Sequence, residues 1–105
     1  METYKIKTID LQSKEWFDKV NGNSYFSAVI TLNFGLKDQK IINVPFQYGY
    51  GLQYEYTALH QLQTENFIPL DALTLWQYTR ENNIILRSSK KDKCLKSEVK
   101  NFVAY

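Results

Sequence analysis

"SYFSAVITLNF", residues 24 to 34, puts Phe26, Ala28, Ile30, Leu32 and Phe34 on one side of an extended chain and Tyr25, Ser27, Val29, Thr31 and Asn33 on the other. Such period-2 alternation, rich in β-branched and aromatic residues, is the signature of a strand, and no other segment of the chain carries it so strongly. The next twelve residues complete a hairpin. "GLKDQK" (35–40) supplies a turn with Gly35 and Asp38, and "IINVPF" (41–46) continues as a strand with Ile42, Val44 and Phe46 on one face. Pro45 has no amide to give to a sheet ladder, so this strand is at a sheet edge or ends there.

Upstream, "TYKIKTI" (3–9) alternates Tyr4, Ile6 and Thr8 with Lys5, Lys7 and Ile9 and reads as a first strand. "DLQSKEWFDKVNGNS" (10–24) shows no sustained period and contains Asn21-Gly22, so it reads as a connection with one helical turn around Trp16 and Phe17. Downstream, Leu52, Tyr56, Leu59 and Leu62 or Gln63 recur at helical spacing, which predicts a helix over about 51–64 with these residues inward. Pro69 opens a second helix of about three turns with Leu70, Leu73 and Trp76 on one face and Leu75 and Tyr78 beside it, stopping at Asn82-Asn83. Residues 84–105 begin as a strand at Ile84 and Leu86, then turn into a hairpin through "KKDK" or a short terminal helix.

These segments predict one domain over residues 1–105 of the α+β class, a small antiparallel sheet of three to five strands covered on one face by two helices. An apolar fraction of 44% with 23% charged residues is ordinary for a globular domain. No stretch is apolar enough to cross a bilayer, and "METYKIKTIDL" lacks the basic-then-apolar order of a secretory signal, so a cytoplasmic location without membrane contact is expected. Cys94 and His60 are the sole residues of their types. They allow neither an intramolecular disulfide nor a zinc cluster, and no metal or other cofactor is expected.

The charge is uneven. Residues 84–105 carry a net +4 against −2 for the remainder, with Arg87, Lys90, Lys91, Lys93 and Lys96 as a candidate basic patch. Such a patch suits phosphates or an acidic protein surface, and lysines on an exposed strand also keep sheet edges apart.

"PFQYGYGLQYEY" (45–56) compresses four tyrosines, a phenylalanine and two glycines into the corner between strand and helix. Its glycines permit close backbone approach, but it has neither the Lys-Ser/Thr of a P-loop nor the three-glycine dinucleotide fingerprint. Gln47, Tyr48, Tyr50 and Tyr54 offer flat faces with hydrogen-bonding tips, which suit a protein interface or an unpaired base and equally fill a small core. If the first loop folds over this corner, Asn21, Asn23 and Tyr25 join them in one polar and aromatic patch. His60 has no carboxylate at i±3 or i±4 to orient it, and no nucleophile or acid–base set appears, so the chain reads as a non-enzyme.

"EWFDKVNGNSYFS" (15–27) followed by "VPFQYGYGLQYEYTALHQL" (44–62) resembles a recurrent type of small protein encoded by phages and other mobile elements. The likeness rests on an aromatic-rich loop, an Asn-Gly-Asn turn into a strand and the Pro-Phe-x-Tyr-Gly-Tyr-Gly corner, and it leaves the basic C-terminal segment outside. It implies a compact protein that occupies a surface of a host macromolecule in the bacterial cytoplasm, as inhibitors of bacterial immunity such as anti-CRISPR proteins do. The host partner is then a defence nuclease or nucleoprotein. Mimicry of a DNA duplex calls for a strongly acidic chain, which this is not. The rival reading is a nucleic-acid accessory protein, with Tyr48, Tyr50 and Tyr54 stacking on bases and the lysines neutralising phosphates.

Overall fold

A computed structural model describes residues 4–102. The chain belongs to the α+β class. In chain order it forms β1 (Thr8–Asp18), β2 (Asn23–Leu32), β3 (Lys40–Tyr48), α1 (Gln53–Thr64), α2 (Leu75–Glu81), β4 (Ile85–Lys91) and α3 (Lys96–Lys100). The sheet order is β3-β2-β1-β4. The first three strands form an antiparallel meander, while β4 joins the far edge parallel to β1, so the sheet is mixed.

β2 is central and buried on both faces. Phe26, Ala28, Ile30 and Leu32 meet Ile9, Leu11 and Val44 under α1, whose Tyr54, Ala58, Leu59 and Leu62 complete the main core. Burial of this apolar surface is the chief favourable term of folding. On the other face Ser27 is covered by α3, the terminal helix allowed for at the sequence level: Val99 is fully buried and its carbonyl accepts the Ser27 hydroxyl. The sheet therefore lies between α1 and α2 on one side and α3 on the other.

The N-terminal half departs from the expected course. Residue 3, where the expected first strand begins, lies outside the described residues, and 4–7 run beside the sheet. There they are held by buried Asn33, whose Oδ1 accepts the amides of Lys7 (2.6 Å) and Thr8 (3.3 Å) and whose Nδ2 donates to the Lys5 carbonyl (2.8 Å). Residues 10–18 are the body of β1, not a connection with a helical turn. Ser13 and Glu15 occupy core-facing positions after Ile9 and Leu11, and these polar residues hide the alternation. Ser13 is tolerated there because its hydroxyl donates to the Ser27 carbonyl (2.9 Å). Loop 19–22 then closes the β1–β2 hairpin, with Gly22 at φ 71° donating its amide to the Asp18 carbonyl.

α1 has the expected extent, but its buried stripe is Tyr54, Ala58, Leu59 and Leu62, so Leu52 and Tyr56 point outward. α2 is shorter than expected. Residues 69–74 turn instead of coiling because Gln63 Nε2 on α1 binds the carbonyls of Pro69 (3.0 Å) and Ala72 (3.1 Å), and Thr74 caps the helix by accepting the Gln77 amide. Leu70, Leu73 and Trp76, expected inward, are exposed; Leu75 and Thr79 are buried in their place. The Asn82-Asn83 stop is observed: Asn83 is left-handed (φ 55°) and the Ile84 amide reaches the Thr79 carbonyl at 2.8 Å.

Pro45 lies in edge strand β3 at a bulge. Val44 pairs with Ala28 and Gln47 with Phe26, so Pro45 and Phe46 together oppose Ser27. The extra residue reverses the parity of the strand. Phe46, expected beside Val44, crosses to the α3 face.

Candidate partner-binding site

On the α3 face, Trp16 of β1 pairs across the sheet with Tyr25 of β2, and Tyr25 with Tyr48 of β3. The bulge adds Phe46, which stacks on Tyr25 with centroids 5.2 Å apart and planes inclined by 8°. Trp16 stacks on Tyr25 at 5.6 Å, and Tyr48 meets Tyr25 edge-on at 5.9 Å. The Lys96 ammonium lies over Trp16, 5.3 Å from its ring centroid. Thus Tyr25 and Tyr48 come together as expected, in a strip that Trp16 and Phe46 complete. Sequence reading missed those two because it placed one in a loop and the other in the main core.

The remaining expected patch residues separate. Asn21 is consumed by the hairpin: its side chain donates to Asp18 Oδ2 (2.8 Å), and that bond, ahead of the backbone bonds from Asn21 and Val20, holds the Asp18 carboxyl below its ordinary range. Asn23 opens β2 opposite Asp18. Gln47 closes the bulge by donating to the Pro45 carbonyl. Tyr54 is core at 5% exposure, and its hydroxyl pairs with Ser88 Oγ at 2.8 Å. Tyr50, at 67% exposure, stands out from the corner.

The corner leads directly into a second apolar surface, between α1 and α2. Leu52 (62% exposed), Tyr56 (58%) and Trp76 (55%) wall a groove of about 270 Å³ whose floor includes Leu59 and Leu75. Trp76 is hydrogen-bonded into the fold: its Nε1 donates to Glu55 Oε1 (3.2 Å), Glu55 Oε2 accepts the Ser88 hydroxyl (2.9 Å), and Ser88 meets Tyr54. This chain of bonds ties α2, α1 and β4 together beneath the exposed indole. The readable signal was a surplus of large apolar residues on two short helices; one stripe per helix could be buried, and the rest had to face out.

The candidate basic patch divides. Arg87 forms a two-bond pair with Asp10 (2.6 and 3.0 Å). Lys90 is half-buried between Glu15 (3.2 Å), Asp92 (3.0 Å) and the Gly51 carbonyl (3.3 Å). Burial acts to lower its pKa, but bonds to the two carboxylates outweigh that, and the net shift is upward. Lys91, Lys93 and Lys96 are exposed around the start of α3.

Among the described residues no three His, Cys, Asp or Glu side chains gather as a metal site. His60 is exposed on α1 and Cys94 is buried beside α3, on the other side of the sheet. No helix among the described residues is long and apolar enough to cross a membrane. No protein-family model matches the chain, and neither a curated protein nor a solved structure matches it significantly.

Proposed function

We propose that this is a small phage or mobile-element protein that acts without catalysis, by binding a host protein stoichiometrically, and that it inhibits a bacterial defence protein in the manner of anti-CRISPR proteins. The protein-binding part rests on one observation. Tyr50, Leu52, Tyr56 and Trp76 lie exposed from the corner into the α1/α2 groove, and Trp76 donates a hydrogen bond to Glu55. Large apolar side chains contiguous at a surface mark interaction sites, and a pre-ordered Trp beside a pocket is the usual composition of an energetic hot spot. The groove suits one bulky apolar side chain of the partner. The anti-defence part and action in the host cytoplasm rest on the resemblance of residues 15–27 and 44–62.

Protein is favoured over nucleic acid because part of the set that base stacking and phosphate contact would use is engaged within the fold. Stacking on bases needs open faces. Trp16 stacks on Tyr25 and has the Lys96 ammonium over its ring, and Tyr25 is also stacked by Phe46, although Tyr48 and Tyr50 stay exposed. Tyr54 is buried, and Arg87 and Lys90 are paired to carboxylates.

The test is a plaque assay in bacteria carrying a CRISPR or other nuclease defence, with and without the protein, joined to affinity capture from the nuclease-treated lysate. The expected result is rescued phage plating and one defence protein captured in a fixed molar ratio, both lost with Leu52→Glu/Trp76→Glu once that variant is shown to fold. Capture of nucleic acid alone, released by moderate salt, would sink the reading.

A further inference from the structure

On the α3 face, next to the Trp16–Tyr25 strip, lies a larger cleft of about 800 Å³ between the β1–β2 hairpin and the chain entering α3. Its walls are apolar and open: Val20 is 92% exposed, Leu95 67% and Phe17 50%. Trp16 and buried Cys94 also line it. The Cys94 amide, bonded to the Glu15 carbonyl (3.0 Å), pins this wall to the end of β1.

Its charge is net positive. Lys19 and Lys93 line the cleft, and Lys96 sits over Trp16 at its edge. The acid among the lining residues, Asp18, has both oxygens engaged by the Val20 amide (3.0 Å), the Asn21 amide (3.3 Å) and Asn21 Nδ2 (2.8 Å). Asp18 keeps its negative charge and acts on Lys96, so the three lysines leave a net positive rim, and an apolar trough with such a rim is complementary to an apolar side chain flanked by carboxylates.

We infer that this cleft docks an acidic peptide segment of a partner protein, a bulky apolar residue seated between Val20 and Leu95 and flanking carboxylates meeting Lys19, Lys93 and Lys96. The aliphatic walls favour a side chain over a base, for which the indole face is already covered by Lys96.

Fluorescence polarisation of the whole protein with labelled Asp-Glu-Leu-Phe-Asp-Glu tests this, beside Asn-Gln-Leu-Phe-Asn-Gln and a ten-residue oligothymidine. The acidic peptide should bind at low salt, the amide peptide about tenfold or more weakly, equivalent to about 1.4 kcal/mol. Lys19→Glu/Lys93→Glu and, separately, Val20→Asp should each weaken the acidic peptide to a similar degree. All three positions are exposed, so both variants should melt like the parent. Equal binding of the two peptides, no binding of the acidic one, or a stronger grip on the oligonucleotide would overturn the inference.

Discussion

Trp76 Nε1 donates to Glu55 Oε1 at 3.2 Å, joining helices whose remaining contact is small, and the same carboxylate takes the Ser88 hydroxyl from β4 through its other oxygen. The indole is held while most of its surface faces solvent. Replacing Glu55 by Ala should cost only about 1 kcal/mol, because the donors left behind can reach water. It should nevertheless free the ring: Trp76 anisotropy, read in a Trp16→Phe background, should fall, and partner binding should weaken more than stability does. An unchanged anisotropy would show that packing alone orients Trp76.

Tyr50 and Tyr54 are four residues apart and belong to different environments. Tyr54→Ala should lose about 3–5 kcal/mol, as for other large aromatics removed from a core, and Tyr54→Phe about 0.5–1.5 kcal/mol for the bond to Ser88. Tyr50→Ala should stay within about 0.5 kcal/mol of the parent. Urea denaturation midpoints of the three variants decide it.

Lys90 draws β4, β1 and the Tyr-Gly corner together, since Glu15 Oε1 also accepts the Gly51 amide at 3.2 Å. Its pKa in the fold lies above 10.5, the ordinary lysine value. The stabilisation from its charge is therefore fully present below that pH and is lost as pH rises through the raised value. Tyr4 acts in the same direction: burial, then the nearby Asp38, raise its pKa above 10.0, so the fold favours the neutral phenol that alkali removes. Stability should decline above about pH 10, and Lys90→Met should be less stable at pH 8 yet show a shallower alkaline decline. Thermal melts from pH 8 to 11.5 read both.

Asn33→Ala should cost more than about 2 kcal/mol. It leaves the Lys7 amide and the Lys5 carbonyl without their partner and puts alanine at φ 55°. Asn33→Gly relieves the backbone but not the lost bonds, so it should recover only part. Hydrogen exchange at the Lys7 and Thr8 amides should speed up in both variants.

The two corner glycines serve different ends. A Cβ on Gly49 would stand 2.5 Å from Phe26 Cε1 and 2.8 Å from Gln53 Cγ, whereas one on Gly51 meets nothing within 4 Å. Gly49→Ala should destabilise by about 1–3 kcal/mol through overpacking of the core, with backbone strain added by its φ of 159°. Gly51→Ala, strained only by its left-handed φ of 60°, should cost about 1–2 kcal/mol. Denaturation of the two variants should show the larger loss at Gly49, and near-ultraviolet circular dichroism should change around Phe26 for that variant alone.

The sequence by itself determined the features that depend on near neighbours. Alternation marked β2, helical spacing and the absence of Gly or Pro marked α1, Pro45 marked an edge strand, and the Asn82-Asn83 pair marked a helix stop. It also fixed the excess of lysine near the end of the chain. What it left open depended on partners far along the chain. Ser13 and Glu15 read as loop residues until the Ser27 carbonyl and Lys90, 75 residues beyond Glu15, satisfied them on a buried strand face. Arg87 read as free basic charge until the parallel pairing of β1 and β4 set Asp10 beside it, 77 residues away. Phe46 changed faces because a bulge inserted one residue, and Leu52, Tyr56 and Trp76 stayed outside because Tyr54, Ala58, Leu59, Leu62 and Leu75 filled the core first. Local pattern specifies which residues can be buried; packing of the whole sheet and its helices selects which of them are, and the surplus becomes the surface available to a partner.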